Sequence, residues 1–352
     1  TDDFAIAQLA DRLGDKDAYT LFSQRSQNWM NVFNPTRQHI DARNKNGFMN
    51  ASLNTQGDQF EQSTGKQYGF SVPFNMAALI EARGGVDRAT TDLDTLLEKL
   101  DAGAFSEYSY LTNQPSFGLP WVYNWLRKPM RTTDTLDRAV RELYGSGPDG
   151  LLGNDDLGSL SSWYVWANLG LNPGIHGTAV LLVSSPMFEQ VTIRSAGTGR
   201  VISLNAPGAD TGARYIKGLT VDGQARTASW LPESFTRTGG ALEFTMTSDK
   251  SSTWGTGEAD VPPSYPQGME ARNGRGITHD GARDSGSLDA GGATLSYEKL
   301  AARGVTPGAS LDFPGTGVTF TWPDTADGTH PDHYIPHGQR LDVRNVATSG
   351  IS

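Results

Sequence analysis

Two adjacent carboxylates, Asp155 and Asp156, stand in Pro148-Asp149-Gly150-Leu151-Leu152-Gly153-Asn154-Asp155-Asp156-Leu157-Gly158. A pair of this kind on a glycine-rich loop suits either binding of a hard cation or removal of a proton from water. The following residues, Ser159-Leu160-Ser161-Ser162-Trp163-Tyr164-Val165-Trp166, read as a helix. The carboxylates therefore fall at a helix N-terminus, where unpaired N–H groups favour negative charge. The competing reading is a simple helix cap, a common use of Asp. Two more polar stretches carry candidate groups: Phe60-Glu61-Gln62-Ser63-Thr64-Gly65-Lys66-Gln67-Tyr68 and Asn113-Gln114-Pro115-Ser116.

The elements that must position these loops are mostly helical. Ile6, Leu9, Ala10 and Leu13 share the spacing of one helix face. Ala18, Leu21, Phe22, Trp29 and Phe33 suggest a second helix ended by Asn34-Pro35. Residues 36–72 read as a long irregular segment, the kind of loop that is usually functional in a compact domain. Further helices are expected from Phe74 to Arg83, around Leu93 to Leu100, after Pro120, around Leu136 to Tyr144 with Thr133 or Asp134 as cap, and from Ser159 to Leu169. The period changes after the last of these helices, which Gly170 ends. Thr178–Val183, Val201–Leu204 and Leu242–Met246 are short β-branched runs separated by turn residues, the pattern of an antiparallel β-unit. A Gly, Pro and Ser-rich linker is expected at 248–268, then a small β module with turns at Thr306-Pro307-Gly308 and Trp322-Pro323-Asp324.

The expected organisation is α+β: residues 1–175 as part of an (α/α)6 toroidal barrel carrying the loops, 176–256 as antiparallel β-structure, and 257–352 as a C-terminal β-rich accessory module. Seven helices do not close a double ring of twelve, so the chain is expected to lack an N-terminal part. The 352 residues carry net charge −10, which argues against nucleic acid or an anionic membrane as partner. No apolar run of about 18 residues is present, so no membrane span is expected. The chain has no cysteine, which excludes thiolate catalysis and Cys-ligated zinc. It begins with Thr1 and shows no signal peptide, as expected of a processed product or a part of a longer chain.

From about Ala5 to Gly255 the sequence resembles the glycoside hydrolase family 92 α-mannosidases. The resemblance is carried by the Pro148–Gly158 loop with Ser161-Ser162-Trp163-Tyr164-Val165, by Gln67-Tyr68 with Val72-Pro73, and by Asn113-Gln114-Pro115-Ser116. Tyr215-Ile216, Ser229-Trp230-Leu231 and Gly239–Phe244 add to it. Order and spacing together make the signal; any one fragment is weak. The resemblance implies a secreted, calcium-dependent inverting enzyme whose catalytic barrel follows an N-terminal β-sandwich portion. It implies Asp156 as the general base, with Asp155 beside it. Asn154 falls where some members carry an assisting acid. Asn113 and Gln114 match the motif near the calcium site.

The sequence departs from the family at the general acid. The family's Glu, five residues before the Gln of Gln-Tyr, is here Gln62, with Glu61 adjacent. Phe74-Asn75 replaces His-Asp, Gln114 stands where Glu is frequent, and Phe117 replaces a frequent His. An amide cannot donate a proton as an acid does, and acid catalysis is typically worth about 10²–10⁴ when the leaving group is poor. A phosphate monoester needs no such help, its second pKa being only about 6. Family members with this pattern act on mannose-α-1-phospho-6-mannose diesters. The resemblance therefore implies removal of terminal α-mannose from a mannosyl phosphodiester, with Gln67 and Glu61 near the substrate and Lys66 either binding the phosphate or solvated at the surface. The alternatives are an exo-α-1,2-mannosidase using Glu61, and a carbohydrate-binding fragment without turnover. Trp121, Tyr123, Trp125, Trp163 and Trp166 read as a sugar platform or as helix core.

Overall fold

The computed structural model describes residues 1–34, 36–44, 47–48, 59–269, 276–282, 293–313, 318–322 and 326–328. The chain divides into two compact units, Thr1–Pro266 and Gln267–Ser352.

In the first unit seven α-helices precede the two larger sheets, among the described residues: α1 (Asp2–Leu13), α2 (Lys16–Ser26), α3 (Met76–Ala82), α4 (Val86–Leu96), α5 (Val122–Trp125), α6 (Pro129–Leu143) and α7 (Ser159–Leu169). Helix α1 forms as expected but is turned about its axis. Phe4, Ala7 and Ala10 are buried, and Ile6, Leu9 and Leu13 face outward. The aromatic ring decides this orientation. Phe4 stacks on Phe74 and packs at a tilt against Tyr265, both at 5.0 Å between centroids, and a buried aromatic outweighs an aliphatic stripe. The expected second helix breaks into α2, the 3₁₀ turn Gln27–Asn31 and the strand β1 (Phe33–Asn34), which pairs with β2 (His39–Ile40). Strands β3 (Arg43–Asn44) and β4 (Gly47–Phe48) form another two-stranded ribbon. Helix α6 starts earlier than its expected Thr133 or Asp134 cap, with Pro129 at its first turn, where a missing N–H costs nothing.

The helical core gathers Phe70, Phe74, Leu79, Leu93, Leu97, Trp121, Tyr123, Trp125, Leu136 and Trp163 with their neighbours. Trp121, Tyr123, Trp125 and Trp163 are thus core residues, each buried.

After α7 come β5 (Leu171–Asn172), β6 (Leu181–Val183), β7 (Gln190–Arg194), β8 (Val201–Asn205), β9 (Tyr215–Val221), β10 (Gln224–Arg226), β11 (Trp230–Leu231), helix α8 (Glu233–Thr238) and β12 (Gly240–Thr247). Five of these strands make a sheet ordered β10-β9-β12-β8-β7, and three make a sheet ordered β11-β6-β5. The β-structure is not wholly antiparallel, since β12 lies parallel to β8. The chain crosses over through α8 and inserts β12 between β8 and β9. Gly239 makes the insertion possible: at φ 78°, a Cβ there would lie 2.3 Å from the Val201 carbonyl oxygen. A second core, with Leu181, Val183, Leu204, Leu219, Phe235, Leu242 and Phe244, fills the space behind this sheet. Strand β6 separates the two cores. Its Leu182 belongs to the helical core, and Leu181 and Val183 belong to the sheet core.

The second unit contains β13 (Ile277–Thr278) parallel to β14 (Leu295–Ser296), helix α9 (Tyr297–Ala301), and β15 (Ser310–Phe313) antiparallel to β16 (Val318–Thr321). The turn at Thr306-Pro307-Gly308 is present. Pro323 and Asp324 lie outside the described residues.

Candidate active site

Three segments meet at a cavity of about 370 Å³. One supplies Glu61 and Gln62. The second supplies Ala104, Phe105, Tyr110, Thr112, Asn113 and Gln114. The third supplies Asn154 and Asp156. Only Glu61 and Asp156 among these residues carry carboxyl groups.

The third segment is fixed at both ends. Tyr144 bridges to Leu151, and Gly145 N–H donates to the Gly150 carbonyl at 2.8 Å. The contact is so close that a Cβ on Gly150 would sit 2.0 Å from the Gly145 carbonyl oxygen, so no side chain fits. At the far end Asp155 caps α7. Its carboxylate accepts from Ser161 N–H at 2.9 Å and from Ser161 Oγ at 2.8 Å. These bonds hold the Asp155 carboxyl below the usual carboxylate range, the Ser161 backbone N–H first. Asp155 does not line the cavity, and each of its oxygens accepts one bond from Ser161. The adjacent carboxylates thus divide the work: Asp155 builds the helix start and Asp156 faces the cavity.

Asp156 is held in an unusual backbone. Asp156, Leu157 and Gly158 have φ of 35°, 60° and 82° in succession. Left-handed non-glycine residues cost about 1–3 kcal/mol each and persist only where the surroundings over-determine them. Here Gln114 is one such restraint. Its Nε2 donates to Asp156 Oδ2 at 2.6 Å, to Ser159 Oγ at 3.3 Å and to the Asn154 carbonyl at 3.3 Å. Gln62 also adopts a left-handed backbone, φ 59°. Tyr68 ties its segment to the second one: its OH donates to the Glu61 carbonyl at 2.8 Å and accepts from Asn113 Nδ2 at 3.4 Å.

The structure does not bring Gln67 or Lys66 to this cavity. Gln67 has no exposed surface. Its Oε1 accepts from Ser63 Oγ, and its Nε2 donates to the carbonyls of Gly103 at 2.9 Å and Tyr108 at 2.8 Å. It is a buried brace under the Gly103–Tyr108 segment, with no amide atom left for a ligand. Lys66 lines a different, smaller cavity of about 80 Å³ with His39, Phe70, Arg83, Asp92 and Glu107. There Arg83 pairs with Asp92 at 3.0 Å, and its guanidinium lies over the Phe70 ring at 4.2 Å. Burial, and next the Arg83 charge, push His39 down to about 3.

A third cavity, about 460 Å³, is largely apolar and lined by Met76, Phe117, Trp121, Trp125, Trp163 and Trp166 among others. It touches Gln114 and Ser159 but holds no carboxylate. The polar cavity, which holds the carboxylates, is therefore the candidate site. Sequence reasoning missed Phe105, Tyr110 and Thr112 there. The turn signal at Gly103, before an aromatic, was the available clue.

Among the described residues no cluster of three His, Asp or Glu side chains could hold a metal. A cation in the polar cavity would meet two carboxylates, Glu61 and Asp156, and amide oxygens. Asn113 and Gln114 commit their amide nitrogens to Tyr68 and Asp156, which leaves the amide oxygens for it. These hard donors fit calcium in kind, with water or ligand hydroxyls needed for the remaining positions.

Comparison with known proteins gives a consistent result. Residues 1–248 match the glycosyl hydrolase family 92 catalytic domain. An uncharacterized secreted glycosidase of Arthroderma benhamiae is 28% identical over 308 residues, covering 80% of this chain and 38% of that protein. The family GH92 α-mannosidase BT3965 of Bacteroides thetaiotaomicron superposes with a TM-score of 0.69 at 28% identity, covering 76% of this chain and 36% of that one. The inverting mannosidase BT2199 of the same species superposes with a TM-score of 0.67 at 25% identity, covering 75% and 38%. The chain thus spans 38% or less of the length of these relatives. No helix among the described residues is long and apolar enough to cross a membrane.

Proposed function

The chain belongs to glycosyl hydrolase family 92, and from that premise we propose that it is the catalytic-loop portion of an inverting α-mannosidase that removes terminal mannose from a mannosyl phosphodiester. The reading includes secretion, an incomplete (α/α)6 barrel, and a site completed by a preceding β-sandwich portion. The outward Ile6, Leu9 and Leu13 stripe of α1 accords with further packing there.

One observation carries the reading: Asp156 is fixed by Gln114 at a cavity whose other wall is Glu61 and Gln62. Asp156 accepts a proton from water as that water attacks the anomeric carbon. The C1–O bond to the leaving group breaks, its electrons pass to the leaving oxygen, and configuration inverts. A phosphate monoester departs without a proton, so the neutral Gln62 suffices opposite the base. A carboxylate in place of Gln62, beside Glu61, would add to the repulsion of the phosphate. When bound, calcium would supply a charge that holds the sugar hydroxyls, with Asn113 and Gln114 as its ligands.

The second reading, an exo-α-1,2-mannosidase with Glu61 as acid, is favoured by the presence of Glu61 in the same cavity. The test is kcat/KM of the complete enzyme for mannose-α-1-phospho-6-mannose and for α-1,2-mannobiose. The phosphodiester reading expects Gln62→Glu to lower the first and raise the second. If the wild type prefers the mannobiose, and Glu61→Gln abolishes that activity, Glu61 is the acid. Chelation with EDTA should remove activity and calcium restore it; full activity in excess chelator excludes the cation.

A further inference from the structure

We propose that Phe105 is a ligand-positioning residue, an aromatic platform for the sugar ring of the leaving group. This rests on the mannosidase reading above and names a part of the site that the motifs do not.

Phe105 lines the polar cavity together with Asp156. It is 42% exposed, although a large apolar ring ordinarily gains by burial. Its φ is 62°, an outlier for a bulky residue. Glycine would hold that backbone without strain and asparagine at little cost. Neither packing nor backbone preference therefore explains a phenylalanine at this position.

The surroundings are built to keep it there. Gln67, buried below, donates to the carbonyls of Gly103 and Tyr108 on either side of Phe105. Thr64 Oγ1 reaches the Ser106 carbonyl at 3.5 Å, and Tyr108 N–H donates to Ser106 Oγ at 3.2 Å. A strained, hydrogen-bonded turn thus places Phe105 on a cavity whose other lining residues, Ala104 and Tyr110 apart, have polar side chains. An inference from such an outlier to function runs in the proper direction. The C–H face of a pyranose complements an aromatic ring. A phosphate does not; the platform is assigned to the ring beyond the scissile bond, and the mannose under attack is the alternative that a substrate without a leaving sugar separates from it.

The experiment uses the complete enzyme with three substrates: mannose-α-1-phospho-6-mannose, α-1,2-mannobiose and α-mannosyl fluoride. The fluoride lacks a leaving sugar and sets the reference. Phe105→Gly should lower kcat/KM about tenfold on whichever of the first two the wild type cleaves, mainly through KM, as expected for one lost aromatic contact. It should change the fluoride less than twofold, and Phe105→Tyr should restore the loss. Phe105→Asn, which also tolerates the left-handed backbone, should repeat the pattern. Equal loss on the fluoride, or no loss on any substrate, overturns the platform. A wild type that turns over none of the three overturns the mannosidase reading, and the platform with it.

Discussion

The run from Glu61 to Phe70 borders two cavities of opposite character. Glu61 and Gln62 line the cavity of about 370 Å³, and Lys66 and Phe70 line the one of about 80 Å³. In the larger, the charged groups are the carboxylates of Glu61 and Asp156. In the smaller, cations and carboxylates sit together: Lys66 and Arg83 with Asp92 and Glu107, around a neutral His39. The first arrangement leaves charge for a ligand to meet. The second balances its own charge and serves the fold. Titratable residues a few positions apart in sequence thus serve different purposes, and spacing alone does not separate them.

The comparison breaks most sharply at Asp156. Asp156→Asn should lower kcat by about 10³-fold in the complete enzyme, since the other carboxylate of the cavity, Glu61, lies on a different segment without the Gln114 bond that fixes Asp156. Its thermal unfolding should stay close to that of the wild type. Comparable activity in the variant would move the base elsewhere.

The smaller cavity should answer in the opposite currency. Arg83 is 1% exposed, and Arg83→Met strands part of the Asp92 charge, although Arg88 still bonds it at 3.0 Å. The expected loss is about 3 kcal/mol of stability, at the low end for a broken buried pair, with kcat of the folded fraction unchanged. Chemical denaturation and single-turnover kinetics on the same sample check both halves.

His39 adds a pH signature. Its folded pKa is about 3 against 6.5 unfolded, so the unfolded chain binds a proton that the folded one refuses. Stability is full above about 6.5 and falls as pH drops from there toward 3, by up to about 1.4 kcal/mol per pH unit. The groups around it are Lys66, Arg83, Asp92 and Glu107. His39→Gln should flatten that slope between pH 6 and 4; an unchanged slope means another group carries it. The smallest effect is expected at Lys66. Lys66→Met should leave kcat/KM for the phosphodiester within about twofold, because Lys66 lines the small cavity and lies outside that of Asp156. A large rise in KM would return it to the phosphate.

Much of the site was legible because it is local. The Pro148–Gly158 loop, the helix behind it and the Asn113–Gln114 turn each declare themselves through glycine, proline and capping residues. The helix count before the β region was legible through period for the same reason. What was hidden is non-local. Nothing near Gln67 in sequence shows that its amide is spent on Gly103 and Tyr108. Nothing near Asp155 decides between a cap and a ligand until Ser161 folds back on it. The face of α1 depended on Phe74 and Tyr265, far along the chain, and the parallel pairing of β12 depended on a crossover that no strand pattern contains.

The alternation in β6 has a consequence for how the molecule comes apart. Leu182 supports the helices, and Leu181 and Val183 support the sheet. Buried Asn124, in α5, clamps the carbonyls of Val183 and Ser229 at 3.0 Å each. Heat that loosens either core pulls the shared strand from the other. Helices and sheet of Thr1–Pro266 should then melt in a single calorimetric transition, and a chain cut between residues 175 and 176 should yield two pieces that each aggregate rather than two that fold.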